Sequence, residues 1–109
     1  MKYLLWLSLR RVKMIERDGN GYLVDPTVWN SDIMYDMAEQ DEFDMTPEIR
    51  QQVMKTREYY DENGVVPPIR TFAKYYGKGK KELFMDHGGS GPMKNLSKYG
   101  GLPQPKGCV

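Results

Sequence analysis

The chain has 109 residues and a formal net charge of +1, with 39% hydrophobic and 28% charged residues. That length is one ordinary domain, and a composition near the globular average excludes wholesale disorder and fibrous repeats. One cysteine leaves no partner for an intramolecular disulfide, one histidine argues against a His-based triad or a His/Cys zinc site, and no apolar run nears the roughly 20 residues that cross a bilayer. The expectation is a single small cytoplasmic domain over residues 1–109, with no membrane contact, metal or cofactor.

The chain opens on Tyr3-Leu4-Leu5-Trp6-Leu7-Ser8-Leu9, bounded by Lys2 and by Arg10-Arg11. Its apolar core is minimal for a secretory signal and no small-residue cleavage pattern follows. A short buried strand or a docking segment is expected here, or, if Met14 is the biological start, residues 1–13 are an extension. Asp18-Gly19-Asn20-Gly21 is a turn signal, leading into an extended Tyr22-Leu23-Val24. Asp25-Pro26 reads as a helix entry. Ser31 is placed to cap a short helix over 32–42, with Ile33, Met34, Met37 and Ala38 on one face. Thr46-Pro47-Glu48 combines cap, first-turn proline and acid, so a long helix should run to Asn63 and stop at Gly64. Its apolar stripe is Ile49, Val53, Thr56 and Tyr60.

Pro67-Pro68 begins another helix, with Ile69, Phe72, Ala73 and Tyr76 inward and Gly77 at its end. Lys80 to Asp86 makes a short helix holding Leu83 and Phe84. His87-Gly88-Gly89-Ser90-Gly91 reads as a flexible loop. Pro92 opens a last helix with Leu96 and Tyr99, stopped by Gly100-Gly101. The fold class is mainly α, a small orthogonal helical bundle with room for a short β element at the N-terminus.

Charge is unevenly distributed. Residues 14–48 carry ten acids and one base, whereas residues 49–109 carry eleven bases and five acids. Residues 69–86 have the layout of a helix-turn-helix pair, with Arg70, Lys74, Lys78, Lys80 and Lys81 close together. Phosphate contact, or docking of an acidic protein, is the natural use of such a face. The second helix lacks the Asn, Gln or Arg that reads bases, which weighs against specific DNA recognition.

The tail carries the chemistry. In Leu102-Pro103-Gln104-Pro105-Lys106-Gly107-Cys108-Val109 two prolines exclude helix, so residues 101–109 read as an extended arm reaching on the order of 25 Å. The sole cysteine, Cys108, stands next to last on it. A lone cysteine is usually a buried structural thiol. A Pro/Gly-rich arm argues instead for an accessible thiol, with Lys106 nearby to favour the thiolate.

The same residues resemble the TusE/DsrC/DsvC family of sulfur-relay proteins. Gly91-Pro92-Met93-Lys94 and Gly101-Leu102-Pro103-Gln104-Pro105-Lys106-Gly107-Cys108-Val109 fit its terminal pattern. Gly21-Tyr22-Leu23, Trp29, Met45-Thr46-x-Glu48, Arg57-x-Tyr59-Tyr60 and Pro67-Pro68-Ile69-Arg70 fit upstream positions in order. The resemblance implies a small helical protein with a mobile C-terminal arm whose Cys108 accepts sulfane sulfur as a persulfide. It further implies Arg70 and Lys94 near the arm, with Lys98 and Lys106 as further persulfide-stabilising cations. The implied partners are a TusBCD/DsrEFH-like sulfur donor and an acceptor enzyme, either a tRNA thiouridylase or a sulfite reductase.

Three departures stand out. Ser97 occupies the place of the family's second cysteine, so no disulfide or trisulfide can close on the arm. Ile49-Arg50 replaces a His-Trp pair, and the stretch between Phe84 and Gly91 is lengthened. A single-cysteine chain of this kind looks like TusE, a persulfide carrier working with partner proteins. The alternatives are a regulatory or accessory subunit of a dissimilatory sulfite reductase-like system, and a helix-turn-helix DNA-binding regulator.

Overall fold

The computed structural model describes residues 15–105, which contain five α-helices and no sheet. The apolar run Tyr3–Leu9 and the tip of the arm, with Lys106 and Cys108, lie outside the described residues.

Local caps explain the helix boundaries. Asp18 closes the first turn by accepting from the N–H groups of Asn20 and Tyr22, and an antiparallel bridge joins Arg17 to Leu23. That bridge falls within the extended segment expected at Tyr22–Val24. The entry at Asp25-Pro26 yields only a single 3-10 turn, Pro26–Val28, because the Asp25 carboxylate caps Thr27 and the chain is extended again at Trp29. Helix α1, Ser31–Gln40, is capped one residue earlier than expected: Asn30 Oδ1 accepts from Ile33 N–H at 2.9 Å, so Ser31 is the first helical residue. The chain leaves α1 through Glu42, at φ +55°. Helix α2, Pro47–Asn63, follows the expectation, with Thr46 Oγ1 accepting from Ile49 N–H and Gly64 left-handed at φ +73°.

Helix α3, Ile69–Tyr76, starts just after the two prolines and ends at left-handed Gly77. Helix α4, Lys80–Asp86, is steadied by Glu82, whose carboxylate reaches back to the Gly79 N–H. Helix α5, Pro92–Tyr99, begins on its proline. It is the centre of the molecule: Pro92, Met93, Asn95, Leu96, Ser97 and Tyr99 are all buried, and it packs on α1 and α2, while α3 packs on α2 and α4. Met34 and Met37 of α1, Ile49 and Val53 of α2, Phe72 of α3 and Leu83 of α4 close the core around it. Each such side chain contributes about 1.5–3 kcal/mol on burial. Methionine, unbranched and adaptable, fills the gaps between these short helices.

The segment 87–91 departs from the flexible loop that its composition suggests. Gly88 N–H donates to Met85 O, Gly89 N–H to Phe84 O and Ser90 N–H to His87 O, so the glycines build a turn and not a tether. His87 is buried within it. Its Nε2–H donates to Gln52 Oε1 at 2.8 Å, while Asn95 Nδ2 donates to its Nδ1 at 3.1 Å. Gln52 is oriented for this by donating its own amide to Asp86 and Glu48. Both ring nitrogens are thus matched to a neutral imidazole. Burial pushes the His87 pKa down to about 4; the Asp86 carboxylate works against the shift and Lys78 with it.

Candidate functional site at the root of the arm

An α-helix leaves its last four carbonyls without intrahelical partners. At the end of α5 each is satisfied, in two ways. Leu102 N–H donates to Ser97 O at 3.0 Å and Gly101 N–H to Lys98 O at 3.4 Å. The next two carbonyls are met by side chains from far along the chain: Trp29 Nε1–H donates to Tyr99 O at 2.7 Å, and Arg57 Nη1 donates to Gly100 O. The Arg57 guanidinium also lies over the Trp29 ring, 3.8 Å from its centroid, in cation–π contact. Arg57 is half-buried, which lowers its pKa against the opposing pull of Asp61; a guanidinium stays charged regardless.

Gly101 makes the exit possible. Its φ is +67°, and a Cβ placed there would lie 2.6 Å from the Trp29 ring. Leu102 is the last anchored residue, 7% exposed. Pro103 and Gln104 are exposed and Pro105 half-buried, all without regular structure. Gln104 Oε1 accepts from Asn20 Nδ2 at 3.1 Å, the one side-chain tie along this stretch among the described residues. Two cavities flank it. One of about 280 Å³ is lined by Tyr60, Val65 and Val66, and the other, of about 270 Å³, by Tyr22, Pro26 and Arg57. Tyr60, Pro103 and Gln104 belong to both. Pro103 and Gln104 thus lie between two surface cavities where the arm leaves the body.

The expected cations fall in different places. Arg70 is exposed on α3 and Lys94 exposed on the first turn of α5, at the opposite end of that helix from the arm root. Tyr22, which lines the arm-root cavity, donates its hydroxyl to the Lys94 carbonyl at 3.4 Å. Lys98 is half-buried, with Nζ 5.7 Å from the Tyr99 ring centroid. Lys74, Lys80 and Lys81 are exposed. Lys78, expected on the same docking face, is otherwise engaged: its Nζ bonds Asp86 at 2.5 Å and Glu48 at 3.2 Å. Those bonds raise its pKa, Asp86 contributing most. Tyr76, donating to the same Glu48 carboxylate, is pushed up to about 12, first by burial and then by that bond.

Sequence reasoning did not single out Arg57 and Trp29 as site residues, although both stood in the motifs it used. Nothing local shows that residues 43 and 70 positions away meet the end of α5. Ser97 is fully buried and its Oγ has no hydrogen-bond partner among the described residues.

A family model described as DsrC like protein matches residues 11–109. The chain belongs to this family. Among its relatives, a sulfurtransferase TusE from Pectobacterium atrosepticum is 32% identical over 103 residues, covering 89% of this chain and 94% of that protein. The dissimilatory-type sulfite reductase subunit gamma of Nitratidesulfovibrio vulgaris is also 32% identical, over 98 residues, covering 89% and 92%. The solution structure of Allochromatium vinosum DsrC superposes with a TM-score of 0.73 at 33% identity, covering 85% of this chain and 88% of that one. The helical architecture is thus the DsrC architecture, and no described helix is long and apolar enough to cross a membrane.

Proposed function

We propose that this DsrC-like protein is a sulfur-relay carrier whose working group is Cys108. The reading is supported most by one observation: the chain is pinned to the body through Leu102 and then continues without regular structure over Pro103–Pro105, three residues short of its only cysteine. Its relatives, a sulfurtransferase and a sulfite reductase subunit, agree with it.

The chemistry needs no redox partner. The Cys108 thiolate attacks the outer sulfur of a donor persulfide, forming Cys108–S–SH as the donor thiolate leaves. An acceptor then takes that sulfur, and the Cys108 thiolate is released unchanged. Access and thiolate fraction govern the rate, and both favour an exposed site over a buried one. Arg70, Lys94, Lys98 and Lys106 are proposed to offset the persulfide and carboxylate charge, and Lys74, Lys80 and Lys81 to meet an acidic partner. The partners proposed are a TusBCD/DsrEFH-like donor and a thiouridylase or sulfite reductase acceptor, in the cytoplasm. A second reading follows the gamma-subunit relative: an accessory role in a sulfite reductase, tested by co-purification with a sirohaem protein.

Replacement of Cys108 by Ser should leave the circular dichroism spectrum and melting curve unchanged and abolish uptake of labelled sulfane sulfur. Uptake that persists in Cys108→Ser would overturn the carrier.

A further inference from the structure

Three successive peptide planes at the end of α5 are held. The plane between Tyr99 and Gly100 is fixed at both ends, its carbonyl by Trp29 and its N–H by the Leu96 carbonyl. The plane between Gly100 and Gly101 is fixed by Arg57 and by the Lys98 carbonyl. The next is fixed by the Leu102 N–H on the Ser97 carbonyl. A plane with both polar edges bonded cannot swing without breaking a bond.

A helix end solvated by water would meet its needs equally well and leave the exit direction free. Here two glycines, the most permissive residues, stand at the exit, and two side chains from elsewhere remove that freedom. Arg57 does this with a planar fork that lies over the indole while one N–H reaches the carbonyl; an ammonium is a point charge on a flexible stem, without a plane to fix that geometry.

Direction matters because the next residues are stiff. Prolines at 103 and 105 fix φ there. A swing of about 20° at Gly101 therefore carries a point four extended residues further on by about 4 Å. Displacements of even 1 Å between reacting groups can cost about a hundredfold in rate.

We propose that Arg57 and Trp29 form a clasp that sets the direction in which the arm bearing Cys108 leaves the body, and that they are positioning residues for sulfur exchange with a protein partner. The functional half of this rests on the carrier role of Cys108; the geometric half does not.

The test labels the native Cys108 and a second cysteine, Met85→Cys on exposed α4, with nitroxides, and reads the distance distribution by pulsed electron paramagnetic resonance. Arg57→Gln should broaden it at least twofold or shift its mean, Trp29→Phe should broaden it less, and Arg57→Lys should not restore the original width. Trp29→Phe keeps the ring and decides the matter should Arg57→Gln fail to fold. A distribution in the folded variants that superimposes on that of the unmodified background, whatever the loss of melting temperature, overturns the clasp.

In parallel, loading by glutathione persulfide should stay within twofold in Arg57→Gln, while transfer from a cysteine desulfurase persulfide slows at least tenfold. Equal slowing with both donors would overturn the positioning role. If the unmodified protein takes sulfur from neither, the carrier reading fails, and the resonance measurement still decides the clasp.

Discussion

The two ends of α5 are built on opposite principles. At its start, side chains bond side chains: Asn95 donates to Ser90 Oγ and to His87 Nδ1, His87 donates to Gln52, and Gln52 donates to the Asp86 and Glu48 carboxylates. At its finish, side chains bond backbone: Trp29 and Arg57 hold carbonyls, and a glycine gives way to an indole. The first arrangement locks four elements together through a neutral imidazole. The second fixes only the last point before the chain departs. One helix thus carries both a rigid core end and a defined exit.

Glycine substitutions at the two ends break this comparison most directly. Gly101→Ala combines a left-handed φ of +67° with a Cβ at 2.6 Å from Trp29, so it should cost about 3 kcal/mol in urea denaturation. Gly89→Ala has φ +87° but open space around it, so it should cost only the backbone strain, about 1 kcal/mol. Equal costs would mean that Trp29 does not press on the exit.

Acid sharpens the contrast. An unfolded imidazole takes its proton near pH 6.5, and the folded His87 only near 4. The unfolded state therefore binds more protons in that window, and stability falls as pH drops from 6.5 towards 4, by up to about 3 kcal/mol. The lowered pKa of Glu48, due first to its bond from Tyr76, adds a loss only below its ordinary carboxylate range. Between pH 6.5 and 5 the slope should belong to His87 and be flat in His87→Gln, as read by urea midpoints.

The smallest effect is expected at Ser97. Its hydroxyl is fully buried without a partner among the described residues, and an unsatisfied buried group is costly. Ser97→Ala should raise stability by about 1 kcal/mol, seen as a higher urea midpoint; a loss would show that the hydroxyl is bonded in solution.

What was legible in the sequence was local. Thr46-Pro47-Glu48 and Gly64 bound α2 to the residue, since cap, proline and left-handed glycine act within a few positions. Asn30 and Ser31 are both good caps, and only side-chain geometry chose Asn30. The glycines of 87–91 look mobile in composition, yet Gly88 and Gly89 bond back to Met85 and Phe84, and His87 between them and α4 is held by Gln52, 35 residues away. Lys78 looked free for a phosphate because its partners, Asp86 on the next helix and Glu48, which is 30 residues away, meet it only through the packing of α2 and α4. The proposal for Cys108 comes from its sequence neighbours; the contacts of Arg57 and Trp29, made through space, show in no local pattern.

The central claim is tested most directly by the intact mass of the purified protein after incubation with a sulfane-sulfur donor, before and after reductant. The account predicts a gain of one or a few sulfur atoms, about 32 Da each, lost on reduction and absent from Cys108→Ser. No gain under conditions that load a control thiol protein, or a gain retained by Cys108→Ser, would contradict it.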